Sequence, residues 1–349
     1  MTNPTAALLW AASRPTVDGD GVAAALAAGA DLATAADIAV AQRVSPLLHR
    51  ALVDAGVDAI PETLERDAQR CRAQSRMLLP QIGRLVLTPL ADEGVEPLVV
   101  KGAALAPRYP DPALRPMDDV DVIVPGEQLD ATLRALAAAG WSVHNPPRRR
   151  SYQLDLTHES LPGLHVDLHR DLANWRTRAN RLTSDVLWAS RRPAQLYGAP
   201  AFVVPPELEL VMLAAHAAKP YHGFDRLIWV VDVAVVAGGG LDWDRVQALA
   251  SQAHAQVAVA VALTLATRIG VDAPEPLRRI DAARARELAP LLAQDAPATP
   301  RTGEVRTALR YALVDERRTR VALVFSELFE ENLWDVPVRA ARLVRRRFK

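Results

Sequence analysis

Along residues 44–53, apolar side chains recur at three- and four-residue steps through Val44, Leu47, Leu48, Ala51 and Leu52, one stripe of a helix. Pro61 and Glu62 read as the first turn of another, running through Leu64 towards Leu79. Residues 1–90 therefore read as a helical N-terminal region. The pattern then shortens. Leu98, Val99 and Val100 form an apolar strand that Lys101-Gly102 ends, and residues 120–124 form a second, stopped by Pro125-Gly126. Residues 129–139 read as a helix closed by Gly140. Tyr152, Leu154 and Leu156 alternate with polar residues, as do Leu164, Val166 and Leu168 beyond the Pro162-Gly163 turn, which predicts a hairpin. From Pro205 onward the spacing is helical again: from Pro206 through Leu208, Val211, Met212 and Ala215, over 226–237, and from an Asp242 N-cap over 243–250 and on to Arg268. The expected architecture is α+β. A small mixed-sheet core spans 91–204, between helical regions at 1–90 and 205–349.

Composition adds mainly exclusions. Lys+Arg and Asp+Glu are both 41 in 349 residues, which argues against a wholesale nucleic-acid coat and leaves local basic patches open. The single cysteine, Cys71, excludes an internal disulfide framework and a cysteine-rich zinc site. The first dozen residues lack a basic stretch followed by an apolar core, so no secretory signal is expected. The two most apolar segments, 228–240 and 257–267, are interrupted by Asp232 and stopped by Arg268, too short to span a membrane. A cytoplasmic protein without a membrane span is expected.

The chemistry concentrates in three short motifs. In Asp118-Asp119-Val120-Asp121-Val122-Ile123-Val124, strand alternation puts Asp119 and Asp121 on one face and the valines on the other. Two like charges side by side call for a cation with hard oxygen preference, Mg2+ (or Mn2+) best. In His165-Val166-Asp167-Leu168-His169 the apolar pair faces the core, so His165, Asp167 and His169 share the other face. If this strand lies beside the first, Asp167 completes a three-carboxylate cluster; a zinc site or a solvated face are the other readings. In Val99-Val100-Lys101-Gly102-Ala103-Ala104-Leu105 a strand breaks into a helix at a glycine, where backbone can approach phosphate oxygens.

In this order, K-G-A-A-L, then R-P-M-D-D-V-D-V-I-V, then H-V-D-L-H, the chain resembles the uncharacterised bacterial nucleotidyltransferases of the DNA polymerase beta-like superfamily. The later stretch from His216 through Lys219 to Asp232 also resembles them, as does the helical lead-in. The resemblance implies a nucleotidyltransferase core at 91–204 that holds two metal ions. It implies that Asp119, Asp121 and Asp167 are catalytic and bind metal, with Asp167 also helping to deprotonate the acceptor hydroxyl. Nucleotide binding would fall to Lys101, Gly102, Arg115, Lys219 and Arg226. Many members carry Gly-Ser or Gly-Gly at the turn, whereas Ala103 follows Gly102 here. Lys101 or downstream basic residues would compensate for the missing hydroxyl.

The implied reaction transfers a nucleoside monophosphate from a nucleoside triphosphate, ATP among them, to a hydroxyl or phosphate of a small molecule, a tRNA or a protein. A D-x-D metal-dependent glycosyltransferase and a non-catalytic nucleotide-binding module are the competing classes. Arg115 has two readings, a phosphate ligand or a partner of Asp118, and Asp232 is expected to pair with a base such as Arg226. Pro220 and Gly223 break the stripe of His216, Lys219, His222 and Arg226, so a bend is expected there, with the two histidines read as structural. The seven tryptophans are scattered and read as core and interface anchors. The tail carries Arg339, Arg342, Arg345, Arg346, Arg347 and Lys349. It reads as a contact for a polyanion such as tRNA or an anionic membrane surface, or as a solvated helix paired with Glu327, Glu330 and Glu331.

Overall fold

A computed structural model describes residues 3–144, 153–161, 163–169, 181–219, 222–296, 309 and 312–315. Four helices open the chain: α1 (Pro4–Ala12), α2 (Gly19–Ala27), α3 (Leu32–Ala41) and α4 (Ser45–Asp54). The side chains of Asn3, Asp18 and Asp31 accept hydrogen bonds from the first free N–H groups of α1, α2 and α3. The long α5 (Glu62–Ile82) contains Pro80, whose missing N–H is followed by a π-helical turn at Gly83–Leu87 and then α6 (Thr88–Asp92).

Seven strands form one mixed sheet: β1 (Leu98–Val100), β2 (Asp119–Ile123), β3 (Trp141–Val143), β4 (Gln153–His158), β5 (His165–His169), β6 (Arg192–Leu196) and β7 (Ala199–Val203). Their order is β3-β4-β5-β2-β1-β7-β6; β2 runs parallel to β5 and β1 parallel to β7, while the other pairs are antiparallel. The short α7 (Lys101–Leu105) follows β1, α8 (Leu129–Ala138) precedes β3, and α9 (Ser184–Ala189) precedes β6. The remaining helices include α10 (Pro206–Ala217), α11 (Leu227–Ala237), α12 (Trp243–Gln252) and α13 (Gln256–Ala266). Among the described residues, no helix is long and apolar enough to cross a membrane.

The predicted hairpin is present as β4–β5, and β2 begins at Asp119 itself. Strand β3 and the β6–β7 hairpin were not expected. Pro193, Ala194, Pro200 and Ala201 give that hairpin little β-propensity; Pro193 is tolerated on the edge strand β6, and Pro200 because β7 pairs with β1 at only Leu98↔Phe202. Its tip rests on α5's π-helical extension, where a Cβ on Gly83 would lie 2.0 Å from the Tyr197 carbonyl oxygen. Only glycine fits this contact.

The helices flanking the sheet in sequence share one core. Leu8, Leu47 and Leu52 of the N-terminal helices are buried with Leu208, Val231 and Val261 of the C-terminal ones. A second core lies between the sheet and α5, α6 and α8, and buries Leu78, Ile82, Val120, Val122, Val166 and Leu168. The faces of β2 therefore part company: Val120 and Val122 enter the second core, while Ile123, on the face of Asp119 and Asp121, is buried with the helices. The acidic face thus opens where sheet and helical core meet. The basic tail beyond residue 315 lies outside the described residues.

Candidate active site

The register brings the acids together. β2 pairs with β5 so that Asp119 lies beside His165, Asp121 beside Asp167 and Ile123 beside His169. Antiparallel pairing of β4 then adds Gln153 opposite His169 and Asp155 opposite Asp167. Period-two alternation puts all these polar residues on one sheet face. Asp119 occupies the exposed end of β2, whereas Asp121 is 3% exposed and His169 is 2% exposed.

Asp121 is held on one oxygen. Its Oδ1 accepts from Lys101 Nζ and from His169 Nε2, the latter at 2.7 Å. Burial works against the Asp121 charge, but the Lys101 ammonium and the His169 hydrogen bond outweigh it and hold the carboxyl well below the usual range. The ionised carboxylate can only accept, so His169 carries its proton on Nε2, and burial keeps the ring neutral. Lys101 reaches Asp121 from a left-handed backbone, φ 55°, at the strand-to-helix break.

Asp167 behaves oppositely. Burial, and then the charges of Asp121 and Asp119, push it up to about 7, while Gln153 Nε2 donates to its Oδ2 at 2.7 Å. Asp119 is raised too, by loss of hydration in the cleft and by Asp121, although the residue itself stands at the open rim. Lys219 follows α10, and burial with the neighbouring Lys101 charge lowers it to about 8, against the pull of Asp121 and Asp167. Ligand-capable atoms of Asp121, Asp167 and His169 all lie within 4.8 Å of one another. Two neighbouring carboxylates, one of them resisting ionisation, make a hard oxygen donor set that fits a divalent cation, and Asp119 stands at the rim outside that group. Asp119, Asp121 and Asp167 would hold it, with His169 bracing Asp121.

Two expected pairings are corrected. Asp118 binds Arg43 at 2.6 Å, and Arg115 instead turns inward to Asp232. Asp232 therefore does not take Arg226, which is exposed and lies over the Trp229 ring, 5.6 Å from its centroid. His165 turns to Asp155, Nδ1 to Oδ1 3.1 Å, and so stands apart from the Asp121–Asp167–His169 group, unlike the zinc reading of its strand. The expected break separates α10, which ends at Ala217, from α11, which starts at Leu227; Pro220 itself lies outside the described residues. There His216 and His222 pack on Trp229 with ring centroids 4.5–5.6 Å apart, and His222 Nδ1 donates to the His216 carbonyl at 2.9 Å.

Residues 28–270 match a family described as uncharacterised nucleotidyltransferases. The chain belongs to that family. No curated protein matches the sequence. Among solved structures, the nucleotidyltransferase chain is similar to the solution structure of the antibiotic-resistance factor ANT(2'')-Ia. The overlap covers 50% of this chain and 90% of that one, at 14% identity and a TM-score of 0.38. The family match reaches from α3 past α13, so it contains the whole second core and most of the first, whose α1 and α2 residues precede it. Of the residues that bond the acids, His169 and Gln153 were the least visible beforehand. His169 carried a signal, two residues beyond Asp167 on the same face; Gln153 appears only through the antiparallel register.

Proposed function

We propose that the protein is a divalent-cation-dependent nucleotidyltransferase that moves a nucleoside monophosphate from a nucleoside triphosphate to an acceptor hydroxyl or phosphate. The observation that supports this reading best is Asp121 facing Asp167 across a parallel strand pair, with Lys101 bound to Asp121. Mg2+ (or Mn2+), held by Asp119, Asp121 and Asp167, supplies charge neutralisation for the triphosphate.

The chain's own groups carry the remainder. Lys101, Lys219 and the exposed Arg226 would hold the triphosphate, while the side of Gly102 that lacks a side chain is filled by the Arg115 guanidinium. Asp167, beside the other two acids, would take the proton of an attacking hydroxyl. The acceptor oxygen forms its bond to the α-phosphorus as the bond to the β-phosphate oxygen breaks. Pyrophosphate leaves, and the hydroxyl proton passes to Asp167.

The test incubates the protein with each of four α-labelled nucleoside triphosphates, Mg2+ or Mn2+, and cell extract, then identifies the labelled species. Wild-type protein should label a discrete acceptor, and the Asp119→Ala/Asp121→Ala variant, still folded, should not. Equal labelling by both proteins would falsify the assigned site. The identity of the labelled species separates a small molecule from a tRNA or a protein.

A further inference from the structure

We propose that Arg115, Asp232 and Tyr109 form a positioning group that fixes the Lys101-Gly102 turn and the entry to β2 against the C-terminal helices. Arg115 lies four residues before Asp119, in the segment that feeds β2. Its guanidinium grips Asp232 of α11 through two bonds, Nε to Oδ1 at 3.1 Å and Nη2 to Oδ2 at 2.8 Å. The third nitrogen, Nη1, donates to the Pro116 carbonyl at 2.6 Å, so the guanidinium holds the very chain that leads into the catalytic strand. Tyr109 donates its hydroxyl to Asp232 Oδ1 at 2.6 Å and so ties the segment beyond α7 to the same carboxylate. Ser75 of α5 donates to the Arg115 carbonyl at 3.3 Å.

The turn itself rests on this group. A Cβ on Gly102 would lie 3.0 Å from Arg115 Nη1 and 3.3 Å from Cζ, so the backbone beside Lys101 packs directly on the guanidinium. Asp232 is fully buried, and the Arg115 side chain is 11% exposed. A bidentate fork admits one orientation, which a single-point contact does not. The Lys101-Gly102 turn, the segment 109–118 and α11 therefore meet at the Arg115–Asp232 pair, the turn on the guanidinium and the other two through the carboxylate. A buried ion pair is weak evidence for stability but can select one arrangement among several. That is the role assigned here: Arg115 acts through Gly102 and β2, not as a phosphate ligand.

The inference rests on reading Asp119 and Asp121 as the site, and its test is separable from that reading. The decisive variant is Arg115→Met/Asp232→Leu, which removes both charges together and leaves neither orphaned. Amide exchange, thermal midpoint and turnover of the labelled triphosphates with Mg2+ are followed. The double variant should fold, with exchange in residues 101–105 and 116–121 faster by about tenfold or more while residues 192–203 keep the wild-type rate. kcat should fall about 10–100-fold with a smaller change in KM, because misplacement affects the reacting geometry more than encounter. Wild-type exchange in both segments of the folded double variant overturns the proposal. Should that variant fail to fold, Tyr109→Phe decides: local exchange limited to 101–121 supports the group, and an unchanged pattern overturns it. If wild-type protein turns over no triphosphate, the functional reading fails, yet the exchange pattern still decides whether the group positions the turn.

Discussion

Two buried sets of charge lie on either side of the Lys101-Gly102 turn, and they are built on opposite rules. Beneath it, Arg115 and Asp232 are matched one to one, and Tyr109 satisfies the carboxylate further. Above it, Asp119, Asp121 and Asp167 outnumber the ammonium groups that reach them, and burial together with the neighbouring carboxylates drives Asp167 up to about 7. A matched set has spent its electrostatic potential on geometry. An unmatched set keeps that potential for something that arrives, in the proposed function a cation and a triphosphate. The contrast separates a positioning group from a reaction site by charge balance alone.

The comparison breaks first if the unmatched acids are dispensable. Replacing Asp121 or Asp167 by Asn should lower nucleotidyl transfer by about 10²–10⁴-fold, measured with labelled triphosphate and Mg2+. Their stability effects should have opposite signs in chelator. Asp121 is stabilised in its charged form, so Asp121→Asn should lower the thermal midpoint. Asp167 resists ionisation, so Asp167→Asn should raise it at pH 8. Loss of stability in both variants would mean that the face is an ordinary ion-pair network.

The matched set should fail differently. Asp232→Leu alone leaves the Arg115 guanidinium buried without its carboxylate, which costs about 3–5 kcal/mol of folding free energy by urea denaturation. Removing the two charges together should cost much less. If the double variant loses the sum of what Asp232→Leu and Arg115→Met lose singly, Arg115 and Asp232 are energetically independent, and the matched-pair reading is wrong.

How much of this was legible in the sequence follows from the range of each signal. Strand alternation within 118–124 and 165–169 was enough to place Asp119, Asp121 and Asp167 on shared faces, and hydrophobic spacing found most helices. Pairing partners were not legible. Asp232 stands 117 residues from Arg115, and only the shared core of N- and C-terminal helices brings α11 under the turn. Arg226, six residues from Asp232, was the local choice, yet it sits just before α11 and points to solvent. The β6–β7 hairpin stayed hidden for another reason: its proline and alanine content carries no strand pattern, and a backbone contact at Gly83 holds its tip.

A third buried carboxylate offers the smallest and most exacting test of the charge-balance rule. Glu209, in the first turn of α10, is 1% exposed and lies 2.9 Å from Arg108, so by distance it belongs with the matched set. Yet it is pushed up to about 7, because burial outweighs Arg108 and the Asp232 charge adds to the penalty. The distance and the shift disagree only superficially: the Arg108 side chain is 34% exposed, so water screens its charge, while Glu209 bears the full loss of hydration. The sign follows from linkage. A folded-state value above the unfolded one, 4.5, means that the stabilising contribution is complete below about pH 4.5 and is lost as pH rises through about 7. Glu209→Gln is neutral at every pH and keeps an acceptor for Arg108. It should leave the thermal midpoint nearly unchanged at pH 5 and raise it at pH 8.5, by on the order of 2–3 kcal/mol in stability. An equal effect at both pH values would place Glu209 with the matched pair, and distance would then be the better guide to charge balance in this protein.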